Sequence, residues 1–199
     1  MNKDKINNPS ILDRSKLPAL FPTHRHEPEF WEQLGRVIAT FGFLEEVLGK
    51  AIFAFTATRQ YSTEEIDAAY QAWLPKLEKA LSDQLYNLAE AYEKAVRDNS
   101  ESTIKNIEDL VSDIKKTAKI RNVLCHGSWR TPNAEGKSIP HFVDRKNNVF
   151  KTPIDIAYLK QTQAEVAALS YSVIDTVTSM GWQFPGSNGP GNPIWSSHQ

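Results

Sequence analysis

Cysteine is almost absent from this chain of 199 residues: Cys125 stands alone. No disulfide framework can hold the fold, so burial of apolar surface must do so, and the composition suits a reducing compartment. Long apolar runs are missing too. Nothing approaches the ~20 residues that cross a bilayer, and the opening Met1-Asn2-Lys3-Asp4-Lys5 has no apolar stretch of the signal-peptide kind. The expectation is a soluble, cytoplasmic protein without membrane contact. Charge of either sign is in no excess: Lys and Arg number 23 against 24 Asp and Glu, a net of −1. Any attraction for a polyanion must therefore come from a local patch. No internal repeat is visible. Histidines are few, 5 in all, and the His24-x-His26 pair has no Asp, Glu or Cys partner at ligand spacing. We expect a solvated loop there, no metal and no cofactor.

What is present is helical periodicity, in a chain whose length and 40% hydrophobic content suit one domain. Residues 1–26, with Pro9, Pro18 and Pro22 among polar residues, read as an extended leader packed by Leu17, Leu20 and Phe21. From about Glu27 a helix begins, with Pro28 in a first turn where proline is tolerated. Its line Trp31, Leu34, Ile38, Phe41, Glu45, Leu48, Ile52, Phe55 advances by threes and fours, flanked by Val37 and Leu44. Ser62-Thr63-Glu64-Glu65 has the form of a capping box and opens a second helix that Pro75 ends or kinks. A third helix over about 76–98 carries Leu77, Leu81, Leu85, Leu88, Tyr92 and Val96 as its core stripe. A fourth, about 101–125, carries Ile104, Ile107, Val111, Ile114 and Ala118, with Ser100 or Ser102 as its cap.

The turn-rich segment 128–152 reads as a β-hairpin or meander. A last helix opens at Pro153 and runs to Met180, burying Leu159, Val166, Val173 and Val177 among others. Residues 181–199 form a Gly- and Pro-rich tail whose Trp182, Phe184, Ile194 and Trp195 should lie against the body or a neighbouring subunit. The expected fold is all-α, an up-and-down bundle of four to five helices with a small β-hairpin or meander insert before the last, as one domain over 27–180.

The fourth helix ends in Arg121-Asn122-Val123-Leu124-Cys125-His126-Gly127. Its apolar line, continued by threes and fours, reaches Arg121 and then Cys125, while Lys115, Lys119, Asn122 and His126 form a second, wholly polar line. Arg121 and His126 sit about 140° apart around an ideal helix, so they share no face until the helix stops, which Gly127 allows. Glu45 and Arg121 are each the one charge on an apolar line. A buried carboxylate needs a cationic or hydrogen-bonding partner, so we expect the two to meet. The Lys119-Asn122-His126 face should line a groove or a partner surface. Cys125 beside His126 is no thiol nucleophile, since helix neighbours point about 100° apart; a small buried cysteine is the better reading.

Arg121 followed by Asn122, then His126 after four intervening residues at a helix end, resembles the signature of the HEPN superfamily (higher-eukaryote and prokaryote nucleotide-binding domains). The preceding helix pairs and Phe41-Gly42-Phe43-Leu44-Glu45 also look like members of this group. The likeness covers residues 28–180 in layout, and only the motif is specific. It implies a metal-independent endoribonuclease of toxin or phage-defence type, working as a homodimer whose two motifs share a cleft, with RNA as substrate and an antitoxin or other regulatory protein as partner. An RNA 2′-hydroxyl would attack the adjacent phosphorus. His126 suits proton transfer near neutral pH, Arg121 offers a fixed fork for phosphate oxygens, Asn122 positions the phosphate, and Glu45 and Lys119 support them. Ser128 stands where some family toxins carry a tyrosine that a partner nucleotidyltransferase modifies, so that regulation is not expected. Some members have lost catalysis, and the alternative is a non-catalytic dimeric module binding RNA, nucleotide or a partner protein through the same cleft.

Residues 115–151 hold nine Lys or Arg against two acids, Glu135 and Asp144, a local +7. Lys115, Trp129 and Arg130 are candidate RNA contacts, Trp129, Phe142 and Phe150 could stack bases, and His141 is a second histidine nearby. A solvated basic face with its aromatics in the core accounts for the same pattern equally well.

Overall fold

The computed structural model describes residues 10–57 and 84–189, with Ala68, Gln71 and Pro75 as isolated positions between them. The expected capping box at Ser62, the stripe positions Leu77 and Leu81, and Ile194 and Trp195 of the tail lie outside the described residues. Within them the molecule is all-α, with four helices: α1 (Pro28–Ala57), α2 (Leu85–Asp98), α3 (Ile107–His126) and α4 (Ile156–Thr178). No described helix is long and apolar enough to cross a membrane.

Helix α1, 30 residues and about 45 Å long, is the central member. It packs most extensively on α4 and also touches α2 and α3. Val37, Phe41, Leu44, Leu48 and Phe55 are sealed from solvent, whereas Ile38 from the expected stripe is partly exposed. The buried arc is therefore rotated toward the residues that the sequence placed on its flank. Tyr92 of α2 is also sealed; its hydroxyl meets Thr176 Oγ1 of α4 at 2.7 Å, and burial pushes its pKa up to about 12.

The helix starts follow local backbone chemistry, and two of them differ from expectation. Gln84 is extended and α2 begins at Leu85, the earlier part of the expected third helix lying outside the described residues. Helix α3 begins at Ile107, because Asn106 takes a left-handed conformation (φ 59°) that an Asn side chain tolerates. Neither Ser100 nor Ser102 caps it. The segment before it is tied instead to α4's end, with Thr103 N and Oγ1 each 3.4 Å from Met180 Sδ. Helix α4 starts at Ile156, where the Asp155 carboxylate accepts Tyr158 N–H at 2.7 Å.

Of the residues expected to pack the leader, Leu17 is half-buried and the other two are not. Leu20 and Phe21 are 78% and 54% exposed. Trp31 Nε1 donates to Thr23 O at 2.8 Å, Arg25 donates to Thr131, and His26, expected in a solvated loop, is 8% exposed and 2.9 Å from Ser138 Oγ. The tail behaves as anticipated where described: Phe184 is buried and Trp182 meets Phe55 edge-on at 5.3 Å.

The insert after α3 is pinned by three isolated antiparallel bridges, Ser128 with His141, Ser138 with Ile154 and Val143 with Val149. No strand forms among the described residues. The physical reason is a change of partner every few residues: Ser138, His141 and Val143 each pair with a different segment, and Pro140, lacking an N–H, lies between the first two.

Candidate functional site

The polar line of α3 faces a groove. Lys115, Lys119, Asn122 and His126 border an open cleft of about 1140 Å³, walled by Gln84, Tyr86 and Asn87 at the start of α2 and by Phe142 to Lys146 of the insert. A smaller recess of about 400 Å³ shares Lys119, Asn122, Phe142 and Lys146 and continues to Phe150.

Arg121 joins the groove to the core. Its guanidinium lies 3.5 Å from Glu45 Oε1, the two side chains being 29% and 26% exposed, and it also borders the cleft. Glu45 Oε1 is shielded from solvent yet accepts no hydrogen bond. The contact is thus a charge pairing without an aligned N–H···O, which fixes Arg121 on one side and leaves other N–H groups of its fork for a second anion.

His126 is the last residue of α3 and is exposed. The helix ends at the glycine, as expected: Gly127 is its C-cap, with N–H donating to Val123 O at 2.8 Å and an extended backbone of φ −70° and ψ 136°. A Cβ there would stand 2.6 Å from Val123 O and 2.8 Å from Pro140 Cβ. Gly127 is what lets the insert close against the end of α3.

The electrostatics favour an anion. Six cationic side chains border the cleft against three carboxylates, and the carboxylates are already engaged. Glu93 and Glu108 both pair with Arg97. Asp144 accepts from Asn148 Nδ2 and from the backbone N–H groups of Asn148 and Lys146, bonds that hold its pKa below the usual carboxylate range. That carboxylate braces a tight turn with Asn147 at φ 62°, which presents Arg145 and Lys146 to the groove. Lys115 is committed to Glu90 at 3.2 Å and sits 5.0 Å over the Tyr86 ring. Lys119, Arg145 and Lys146 have no ion pair among the described residues and are the charges left for a ligand.

Not every anticipated residue is here. Trp129 packs into an aromatic cluster, 4.9 Å from Phe30 and 6.0 Å from His26 between ring centroids. Its ring is committed to the core and cannot stack a base in the groove. Arg130 and His141 are exposed but border neither cavity, and Cys125 is half-buried. Phe142 and Phe150 do lie at the cleft or its recess. Tyr86 and Asn87 were missed, because no periodicity in α2 tells which helix its first turn will face. Among the described residues no group of three His, Cys, Asp or Glu could hold a metal ion.

The fold and site together define an all-α bundle with a cationic groove at one helix end. The chain matches no family model, no curated protein and no solved structure, so the motif and the groove geometry carry the functional reading.

Proposed function

We propose that the protein is a metal-independent endoribonuclease of toxin or phage-defence type, acting in the cytoplasm at a site completed by a second copy of the chain. The observation that carries this reading is the convergence of Arg121, Asn122, His126 and Lys119 on one cationic groove, with Arg121 anchored from behind by Glu45. In the reaction a 2′-hydroxyl attacks the adjacent phosphorus; the O2′–P bond forms, the P–O5′ bond breaks, and a cyclic phosphate and a 5′-hydroxyl result. One proton must leave the 2′-oxygen and another must reach the departing O5′. His126, exposed at the rim, serves one of these transfers, and the partner copy's His126 serves the other. Arg121 and Lys119 stabilise the extra negative charge on the phosphoryl oxygens, and Asn122 donates to them.

The test is incubation of purified protein with mixed RNA in excess chelator, alongside His126→Ala and Arg121→Ala. Cleavage by wild type and its loss in both variants are expected. No cleavage by wild type, or undiminished cleavage in both variants, ends the catalytic claim. A second reading, a non-catalytic dimeric module binding RNA, nucleotide or a regulatory protein, is favoured by one observation: His141 lies off the groove, so each chain brings a single histidine to it.

A further inference from the structure

We propose that the groove selects single-stranded RNA, with Tyr86 as a platform on which one unpaired base stacks and with Lys119, Arg145 and Lys146 as the phosphate track beside it. This rests on the RNA reading above and adds to it a ligand form and a subsite.

Tyr86 lies in the first turn of α2, borders the groove and is 44% exposed. An exposed tyrosine on a helix is ordinary by itself. This one is held. The Lys115 ammonium stands 5.0 Å from the ring centroid and is fixed by Glu90 at 3.2 Å, so a cation covers one ring face and restrains the plane. The rest of the ring is open to the cleft, and a preset aromatic surface loses little entropy when a flat ligand settles on it. The cleft is also bordered by Phe142 and the Arg145-Lys146 turn, whose brace engages the Asp144 carboxylate.

An aromatic platform beside a row of unpaired cations is the arrangement that binds single strands: the cations track the backbone and the ring takes a base. A duplex offers Tyr86 nothing, because its base faces are stacked on one another. Proteins that read duplex RNA touch phosphates across about 16 base pairs, a reach far beyond this cleft. A single nucleotide would also gain less here than in a small-ligand pocket, which encloses its ligand, because this groove of about 1140 Å³ is open to solvent.

The experiment uses the full chain carrying His126→Ala, so that RNA is not cut, and a fluorescent single-stranded RNA on the order of 8 nucleotides long, read by anisotropy over a range of salt. The expected result is that Tyr86→Ala weakens binding roughly 5- to 150-fold, as loss of one stacked base should, while Tyr86→Phe binds like the parent. The salt slope of Tyr86→Ala should be unchanged, since no phosphate contact is removed. Replacing Lys119, Arg145 and Lys146 together by Ala should lower that slope by about 2, from three lost contacts on a single strand. An RNA with an abasic site at the stacked position should erase the difference between parent and Tyr86→Ala. The same sequence as a duplex should bind at least tenfold more weakly. Equal binding of duplex and single strand, with Tyr86→Ala like the parent, overturns the platform and leaves the RNA reading standing. Absence of binding to either RNA, or binding of an acidic peptide in its place, overturns both.

Discussion

Two places in this molecule combine a histidine with aromatic rings, and both adjoin the insert that follows α3. At one, His26 stacks on Phe30 at 4.3 Å, is flanked edge-on by Trp31 and Trp129, and meets Ser138 Oγ. At the other, His126 shares an open groove with Tyr86 and Phe142. The residue types are alike; the surroundings divide them. His26 is removed from water and spends its ring nitrogen within the fold, so it fastens the leader to the insert. His126 is exposed and shares its groove with Lys119, Arg145 and Lys146, which have no ion pair among the described residues. Burial and uncommitted charge, not residue type, separate a fastening from a working site.

The sharpest way to break this comparison is to remove each histidine. His126→Ala should lower RNA cleavage by roughly 10²- to 10⁴-fold and change unfolding free energy by less than about 0.5 kcal/mol, as exposed substitutions do. His26→Ala should do the reverse. It empties packed volume and strips Ser138 of a partner, at about 2–3 kcal/mol, with cleavage by the folded protein altered only a few-fold. Single-turnover cleavage and denaturant titration would read both. If His26→Ala abolished cleavage in protein shown to be folded, the division of roles drawn above would fail.

The aromatics give the next contrast. Trp129→Ala should destabilise by about 3 kcal/mol, since its ring packs against Phe30, Trp31 and His26. Phe142→Ala should instead weaken single-stranded RNA binding more than it lowers the melting temperature.

The acid limb of stability offers a finer comparison. Burial holds the His26 pKa below its ordinary 6.5. In the unfolded chain the ring gains its proton at about 6.5, whereas in the folded chain it resists until lower pH, so the unfolded state binds more protons in that window. The contribution is fully present above about pH 6.5 and fades as pH falls through the folded value. Urea midpoints measured from pH 7.5 to 5 should therefore decline, and His26→Gln should flatten the decline. An unchanged slope in that variant would place the titration elsewhere.

Much of the bundle was legible because helix stripes are one-dimensional facts. The two lone charges on apolar stripes sufficed to pair Glu45 with Arg121, and the step of Lys119, Asn122 and His126 sufficed to place them on one groove wall. What stayed hidden depends on three dimensions. That Trp129 faces the core follows from where the leader returns, which no local pattern encodes. That Tyr86 reaches the groove follows from how α2 packs on α3. Gly127 ends α3 as the sequence suggested, but a second reason for it stayed hidden in the same way. Its need is a close approach to Pro140, 13 residues away in sequence, and only the folded insert reveals it.

Glu45 allows a more modest test of the link between core and groove. Glu45→Gln keeps shape but removes the charge facing Arg121, at a stability cost of about 1 kcal/mol or less for a partly exposed pair. If Glu45 positions Arg121 for phosphate, cleavage should fall about tenfold or more, chiefly in kcat, as expected when geometry is loosened near the reacting centre. A change in stability with kcat intact would make the pair structural alone.

The smallest expected effect lies in the turn that carries Arg145 and Lys146. Asn147 holds a φ of 62°, which asparagine bears at modest cost and glycine at none. Asn147→Gly relieves that cost but gives the unfolded chain more freedom, and the two nearly cancel, leaving a net change within about 1 kcal/mol. RNA affinity should hardly move, because the turn keeps its form. Asp144→Ala is the informative partner. It deletes the carboxylate that accepts from Lys146 N, Asn148 N and Asn148 Nδ2, while raising the net charge of the groove by one. On electrostatics alone that variant should bind RNA more tightly. If the turn must be braced to aim Arg145 and Lys146, it binds more weakly despite the added positive charge, and the sign of that change at low salt decides whether the groove works by charge or by the placing of charge.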